Sequence, residues 1–142
     1  MTATLPGLSR LAQIAMRATD RDRAVRFYRD VLGLPLLFEA PPALAFFDCG
    51  GVRLMLGPAE GAFDHPGSVL YFGVEDIDAS HAALQARGVK FVEAPHLIAK
   101  LPCQDVWLAA FEDSEGNTLA LMEERRTEVS GLRAQGSGPA GT

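Results

Sequence analysis

The pattern of apolar and polar residues along the chain follows one order twice. Residues 13–20 and 69–76 both have the pattern of a strand, and each segment ends in an aspartate. Each aspartate is followed by residues with helical spacing, at 20–32 and 76–87, and each helical segment stops before a glycine. Thr19 or Asp20 in the first half and Asp76 in the second are suited to accept a hydrogen bond from the first helical turn, and a glycine with left-handed backbone is a common helix end. The pattern therefore predicts an internal strand–helix repeat.

Three short apolar segments follow each predicted helix. They lie at residues 34–39, 43–48 and 52–56 in the first half, and at residues 89–93, 106–111 and 118–123 in the second. Their alternation, and the turns rich in Gly, Asp and Asn that separate several of them, are typical of antiparallel strands. Each half of the chain is therefore predicted to form a βαβββ module, and the fold class is α+β.

One helix covers only one face of such a module, so the other sheet face needs a partner. Strands such as residues 69–74 are apolar at both sets of alternate positions, as expected when both faces are covered. We therefore predict that the two βαβββ modules pair into a curved mixed sheet with a central cup. The predicted organisation is an N-terminal extension at 1–10, modules at 11–57 and 68–124, a linker at 58–67 and a disordered tail at 125–142.

Composition and charge exclude several functions. The formal charge of −5 gives no basic footprint for nucleic acid or anionic lipid. The first ten residues lack the apolar core of a signal peptide, and no apolar run is long enough to span a bilayer, so a cytoplasmic protein is expected. The two cysteines, Cys49 and Cys103, have no CxxC spacing, and we expect reduced thiols without a catalytic role.

Four segments of the chain resemble the vicinal oxygen chelate superfamily, which includes glyoxalases, bleomycin-resistance proteins and extradiol dioxygenases. They are DRDRAVRFYRDVLGLPLLF, FFDCGGVRLML, VEDIDASHAALQARGVKF and FEDSEGNTLALMEE, and they occur in the order of that family. The resemblance covers about residues 11–124 and agrees with the repeat. It implies the two-module fold, whereas the activity depends on the site, because one fold hosts many functions.

The resemblance also implies where a metal would bind. Metal-dependent members hold a divalent ion in the cup with His, Gln or Glu from the first and last strand of each half. By resemblance, those positions correspond to Gln13, Met55, Val69 and Ala120. Only Gln13 offers a hard donor, because a thioether is soft and the other two side chains have no donor. We therefore predict no metal and no cofactor, with Gln13 as a metal ligand only in a rebuilt site, and we expect all four side chains to line the ligand cup.

Four further residues are candidate ligand contacts. Tyr71 shares the alternation of Val69 and is predicted to face the cup. His96 lies in a Pro-His-Leu-Ile segment similar to related sequences, and Asp105 nearby would make it an oriented general base or a group that orients a polar substrate. A loop histidine bonded to the backbone is the plainer alternative. Trp107 is either a ligand platform or a core residue.

These observations leave three functions. The first is a metal-independent vicinal oxygen chelate protein that binds an apolar or aromatic small molecule in its cup, for carriage, sequestration or resistance. The alternative is a superfamily enzyme, a lyase, isomerase or dioxygenase, that uses no metal or a rebuilt metal site including Gln13 and His96. The third is a partner-binding protein whose cup is filled by its own side chains. A homodimer is expected because two-fold pairs are common in the family and among oligomers.

Overall fold

A computed structural model describes residues 8, 10–58 and 67–127 of the chain. The chain divides into two compact units, Met1–Gly67 and Ser68–Thr142, and each unit contains one four-stranded mixed sheet. The two predicted βαβββ modules are therefore confirmed. Most of the predicted N-terminal extension and linker, and residues 128–142 of the predicted tail, lie outside the described residues. The pairing of the modules around a central cup stays a prediction.

The first module runs through four strands and one helical segment. These are β1 (Gln13–Arg17), α1 (Arg21–Val25), a π-helical continuation (Arg26–Val31), β2 (Leu36–Ala40), β3 (Leu44–Cys49) and β4 (Val52–Gly57). The strand order is β1-β4-β3-β2, with β1 parallel to β4 and the other pairs antiparallel. The parallel pair lies at one edge because the helical segment carries the chain across the sheet after β1.

The first helical segment begins and ends where the sequence predicts. Asp20 accepts a hydrogen bond from the Arg23 backbone N–H at 3.1 Å, and Gly33 follows with a φ of +80°. The last turns widen into a π-helix, in which the Leu32 N–H donates to the Phe27 carbonyl at 3.0 Å. Tyr28 is fully buried and its ring centroid lies 5.8 Å from that of Phe47 on β3, so this contact identifies the sheet face that the helix covers.

The second module repeats this plan. Its elements are β5 (Leu70–Gly73), α2 (Ile77–Ala86), β6 (His96–Lys100), β7 (Gln104–Glu112) and β8 (Thr118–Arg126). The order is β5-β8-β7-β6, again with a parallel pair at one edge. Asp76 caps α2 by accepting a hydrogen bond from the Ala79 N–H at 3.0 Å. No helix among the described residues is long and apolar enough to cross a membrane.

Two predicted boundaries in the second module are wrong. The strand predicted at residues 89–93 forms only an isolated bridge between Phe91 and Phe111, and the sixth strand lies further on, at His96–Lys100. The apolar alternation at 89–93 serves packing instead, because Val89 is buried and the Phe91 ring lies 5.2 Å from the Phe111 ring. The last strand continues past residue 124, since Arg125 and Arg126 pair with β7.

Each sheet has one face toward its helix and one face away from it, which we call the first and second open faces. Buried residues such as Phe47, Leu54, Leu119 and Leu121 lie on the helix-facing sides. Residues that alternate with them line the open faces. The first open face carries Gln13, Ala15, Phe38, Phe46, Arg53 and Met55, and the second carries Tyr71, Gly73, His96, Leu108, Ala110, Ala120 and Met122.

Candidate functional site

The first open face brings together two predicted site residues, Gln13 and Met55. In the parallel β1–β4 pair, Gln13 lies beside Arg53 and Ala15 beside Met55. The Gln13 Oε1 accepts a hydrogen bond from the Arg53 Nε at 2.8 Å, and the Gln13 Nε2 lies 3.8 Å from the Met55 sulfur. The amide predicted to face a ligand is therefore already oriented by a guanidinium group.

Arg53 is a functional candidate that the sequence reasoning missed. It stands two residues before Met55, so period-two alternation places it on the same sheet face. Its guanidinium carbon lies 5.7 Å from the centroid of the Phe46 ring. Phe46 in turn stacks on Phe38 with ring centroids 4.5 Å apart and an interplanar angle of 22°. Phe38 is 48% exposed, so the stack presents an aromatic surface beside a positive charge.

Asp48, near the end of β3, forms a hydrogen bond with the turn that follows the strand. Asp48 pairs in register with Arg53, and its Oδ1 accepts a hydrogen bond from the Gly51 N–H at 3.1 Å. Burial raises the pKa of the neighbouring Cys49 thiol, and the Asp48 charge raises it further. The thiol is therefore protonated near neutral pH.

The second open face is mainly apolar. Tyr71, Ala120 and Ala110 form one row across β5, β8 and β7, and Gly73, Met122, Leu108 and His96 form the next row. Tyr71 is 55% exposed and Val69, just before β5, is 40% exposed, whereas only 2% of Ala120 is exposed. Ala120 is therefore buried and leaves no room for a ligand beside it.

An open pocket of about 360 Å³ lies at the end of the parallel β5–β8 pair. It is lined by Gly73, Val74, Glu75, Met122, Glu123 and Glu124. Gly73 contributes to this space directly, because a Cβ built on it would have no atom within 4 Å beyond its chain neighbours. Neither Gly73 nor this pocket was predicted from the sequence, since a glycine in a short strand gives no sign of what stands above it.

The predicted pairing of His96 with Asp105 is not formed. The His96 Nδ1 lies 3.0 Å from the Ala94 carbonyl oxygen, and the Nε2 lies 3.4 Å from a Glu93 carboxylate oxygen. Asp105 instead lies 3.5 Å from the Lys100 ammonium. In the β6–β7 register His96 is opposite Leu108, on the open face, whereas Asp105 is three residues away along β7 and points to the other side.

Trp107 also lies on the helix-facing side, away from Ala120. It is opposite Glu123 in the β7–β8 register, and the Arg125 guanidinium lies 4.8 Å from its ring centroid. Arg125 donates two hydrogen bonds to Glu123, at 2.9 and 3.1 Å. The structure therefore places Trp107 in a packing cluster with Glu123 and Arg125 and does not bring it together with the open-face residues.

The family metal does not fit the residues at its four positions. Gln13 is the only hard donor among them, and its oxygen already accepts from a positively charged group that repels a cation. Met55 offers a soft thioether, and Val69 and Ala120 offer no donor. Among the described residues, no group of three His, Cys, Asp or Glu side chains that could hold an ion is present.

The sequence matches one protein family over most of its length. The model of the Glyoxalase/Bleomycin resistance protein/Dioxygenase superfamily matches residues 10–121. The chain belongs to this superfamily. Membership confirms the resemblance read from the four sequence segments, and it agrees with the two βαβββ modules.

Individual relatives within the superfamily differ in their named roles. The Bacillus subtilis (strain 168) protein YraH is 32% identical over 101 residues, covering 61% of this chain and 79% of the relative. A lactoylglutathione lyase from Agrobacterium tumefaciens is 26% identical, with a TM-score of 0.64 over 82% of this chain and 95% of its own. TnmS3, an antibiotic binding protein from Streptomyces sp. CB03234, is 27% identical, with a TM-score of 0.66 over 82% of this chain and 97% of its own. The superfamily thus includes both enzymes and binding proteins.

Proposed function

We propose that this protein binds an apolar or aromatic small molecule on the open faces of its sheets without a metal ion. The observation that carries the proposal is the chemistry of the family's metal positions, where Gln13, Met55, Val69 and Ala120 stand in place of a set of hard ligands. Metal positions without anionic ligands, on faces with exposed aromatic rings, favour apolar ligands oriented by a few polar groups. A role in carriage, sequestration or resistance follows.

The exposed aromatic residues support this proposal. Phe38 and Tyr71 are each about half exposed, although both lie on sheet faces rather than in loops. Aromatic rings at such positions give a ligand a large contact area at a small cost in side-chain entropy. TnmS3 supports the same interpretation, because its name assigns antibiotic binding to a protein of this fold.

The enzyme alternative has less support from the site. The lactoylglutathione lyase shows that the fold also performs catalysis. In this chain, however, Gln13 is bonded to Arg53, and the nitrogens of His96 lie close to Ala94 and Glu93. Each of the two residues proposed for a rebuilt metal site thus has its partner within its own module.

The expected homodimer is part of the binding proposal. Light scattering tests it by measuring the molar mass of the protein in solution.

Binding of an uncharged fluorescent probe tests the proposal. N-phenylnaphthylamine is expected to bind saturably to chelator-treated protein, with unchanged affinity after a divalent metal is added. Phe38→Ala is expected to weaken binding by about fivefold, because an aromatic contact contributes about 1 kcal/mol. Leu97→Ala removes a comparably exposed apolar side chain from the helix-facing side of β6, opposite Trp107, and serves as the control. Binding that requires metal, or no saturable binding at all, would contradict the proposal.

A further inference from the structure

The first open face has an unused cationic group next to its aromatic stack. Arg53 donates its Nε–H to Gln13 at 2.8 Å, and its guanidinium carbon lies 5.7 Å from the Phe46 ring centroid. Within the part of the chain that the structure describes, these are the contacts of the Arg53 side chain. Its terminal nitrogens therefore carry N–H donors that no described residue accepts.

The guanidinium has two contacts within its own module. Its Nε–H donates to the Gln13 Oε1, and it lies over the Phe46 ring. Asp48 lies opposite Arg53 in the β3–β4 register, and its Oδ1 accepts a hydrogen bond from the Gly51 N–H. A fixed guanidinium with free N–H groups binds carboxylate or sulfonate oxygens, often through two parallel hydrogen bonds.

The aromatic stack beside the guanidinium defines the rest of the ligand. The Phe38 and Phe46 rings are nearly parallel, and Phe38 is about half exposed at the outer side of the stack. Phe46, on the middle strand β3, lies between Phe38 and Arg53, so a planar apolar group that reaches the Arg53 donors lies across the Phe38–Phe46 stack. This arrangement combines an apolar surface with one positive charge, and it suits a planar molecule that carries one negative charge.

We propose that the first open face binds aromatic anions, with the carboxylate or sulfonate of the ligand on the terminal nitrogens of Arg53 and its ring across the Phe38–Phe46 stack. The inference rests on the proposed function, since it names the ligand class that the apolar face prefers. Gln13 then acts as a positioning residue, because it holds the guanidinium without contacting the ligand's charge. The positive group stands on the face where metal-dependent relatives place a cation.

Two probes that differ by one charged group test this inference. Anilinonaphthalene sulfonate carries a sulfonate, and N-phenylnaphthylamine has the same aromatic groups without it. The parent protein is expected to bind the sulfonate more tightly than the neutral probe. Arg53→Gln is expected to weaken sulfonate binding about tenfold, the effect of losing a charge-assisted hydrogen bond, so that the parent's preference for the sulfonate over the neutral probe is lost.

Two further variants separate the site from the effect of net charge. Arg26→Gln removes the same charge from an exposed position of the π-helical segment and is expected to change neither affinity. Arg53→Lys keeps the charge but loses the fixed fork of donors, so its sulfonate affinity is expected to lie between those of Arg53→Gln and the parent. Circular dichroism checks that each variant is folded.

The possible results distinguish the inference from the proposed function. If the neutral probe binds and Arg53→Gln leaves sulfonate binding unchanged, the aromatic-anion site is wrong and the apolar binding function stands. Equal losses of sulfonate affinity in Arg53→Gln and Arg26→Gln would also overturn the site, because they would reflect net charge alone. If neither probe binds the parent protein, both proposals fail.

Discussion

Replacing Phe47 with alanine is expected to lower the free energy of unfolding by about 4 kcal/mol. Phe47 is fully buried on the helix-facing side of β3, where its ring lies 5.8 Å from the ring of Tyr28. Removing the ring leaves a cavity between the sheet and the helical segment and loses the burial of the ring itself. A loss of this size is a large fraction of the total stability of an ordinary domain, which is about 5–15 kcal/mol. Urea denaturation measures it.

Phe38→Ala provides the matched control for this substitution. The two residues lie on neighbouring strands of one sheet, but Phe38 is on the open face and is half exposed. We expect Phe38→Ala to cost no more than about 1 kcal/mol of stability, because its ring buries much less surface. Equal losses from the two substitutions would show that the assignment of the sheet faces is wrong.

Replacing Glu123 with alanine is expected to lower the free energy of unfolding by about 2 kcal/mol at neutral pH. The buried carboxylate accepts a hydrogen bond from the Ile77 N–H at the start of α2, at 2.9 Å, and two more from Arg125. Its loss leaves one N–H in the first turn of α2 unsatisfied and removes the partner of Arg125. Thermal or urea unfolding of the two proteins checks the size of the effect.

The same carboxylate predicts a dependence of stability on pH. The hydrogen bonds from Arg125 lower the pKa of Glu123 from its ordinary value of 4.5, burial opposes that shift, and the bond from Ile77 adds to it. Because the folded pKa is depressed, this stabilisation is present above the ordinary value and is lost as the pH falls through the folded pKa. Glu123→Gln should therefore show a shallower loss of stability in acid than the parent, and parallel pH profiles would exclude this role.

Features set by alternation along a single segment were predictable from the sequence. The succession of strands and helix along each module and the Asp20 and Asp76 caps follow from local patterns, and so does the shared face of Gln13 and Met55. These features depend on residues close in sequence or on one repeated register. That is why the family resemblance and the residue pattern agree on them.

Features set by contacts between distant segments were not predictable in the same way. Residues 89–93 alternate like a strand, but Phe91 packs against Phe111 instead of extending the ladder. His96 lies close to Glu93 rather than Asp105 because the strand register separates the latter pair onto opposite faces. The cap of Glu123 on Ile77 spans 46 residues and has no sequence signal, since an acid in a strand is usually a solvated one.

Methionine methyl resonances provide the most direct test of metal-free binding on the open faces. Three of the chain's four methionines lie among the described residues: Met55 and Met122 are half-buried on the first and second open faces, and Met16 is buried on a helix-facing side. Titration of methyl-labelled, chelator-treated protein with N-phenylnaphthylamine should shift the signals of Met55 and Met122 and leave that of Met16 unchanged. Unchanged signals for both open-face methionines, or shifts that appear only after a divalent metal is added, would contradict the account.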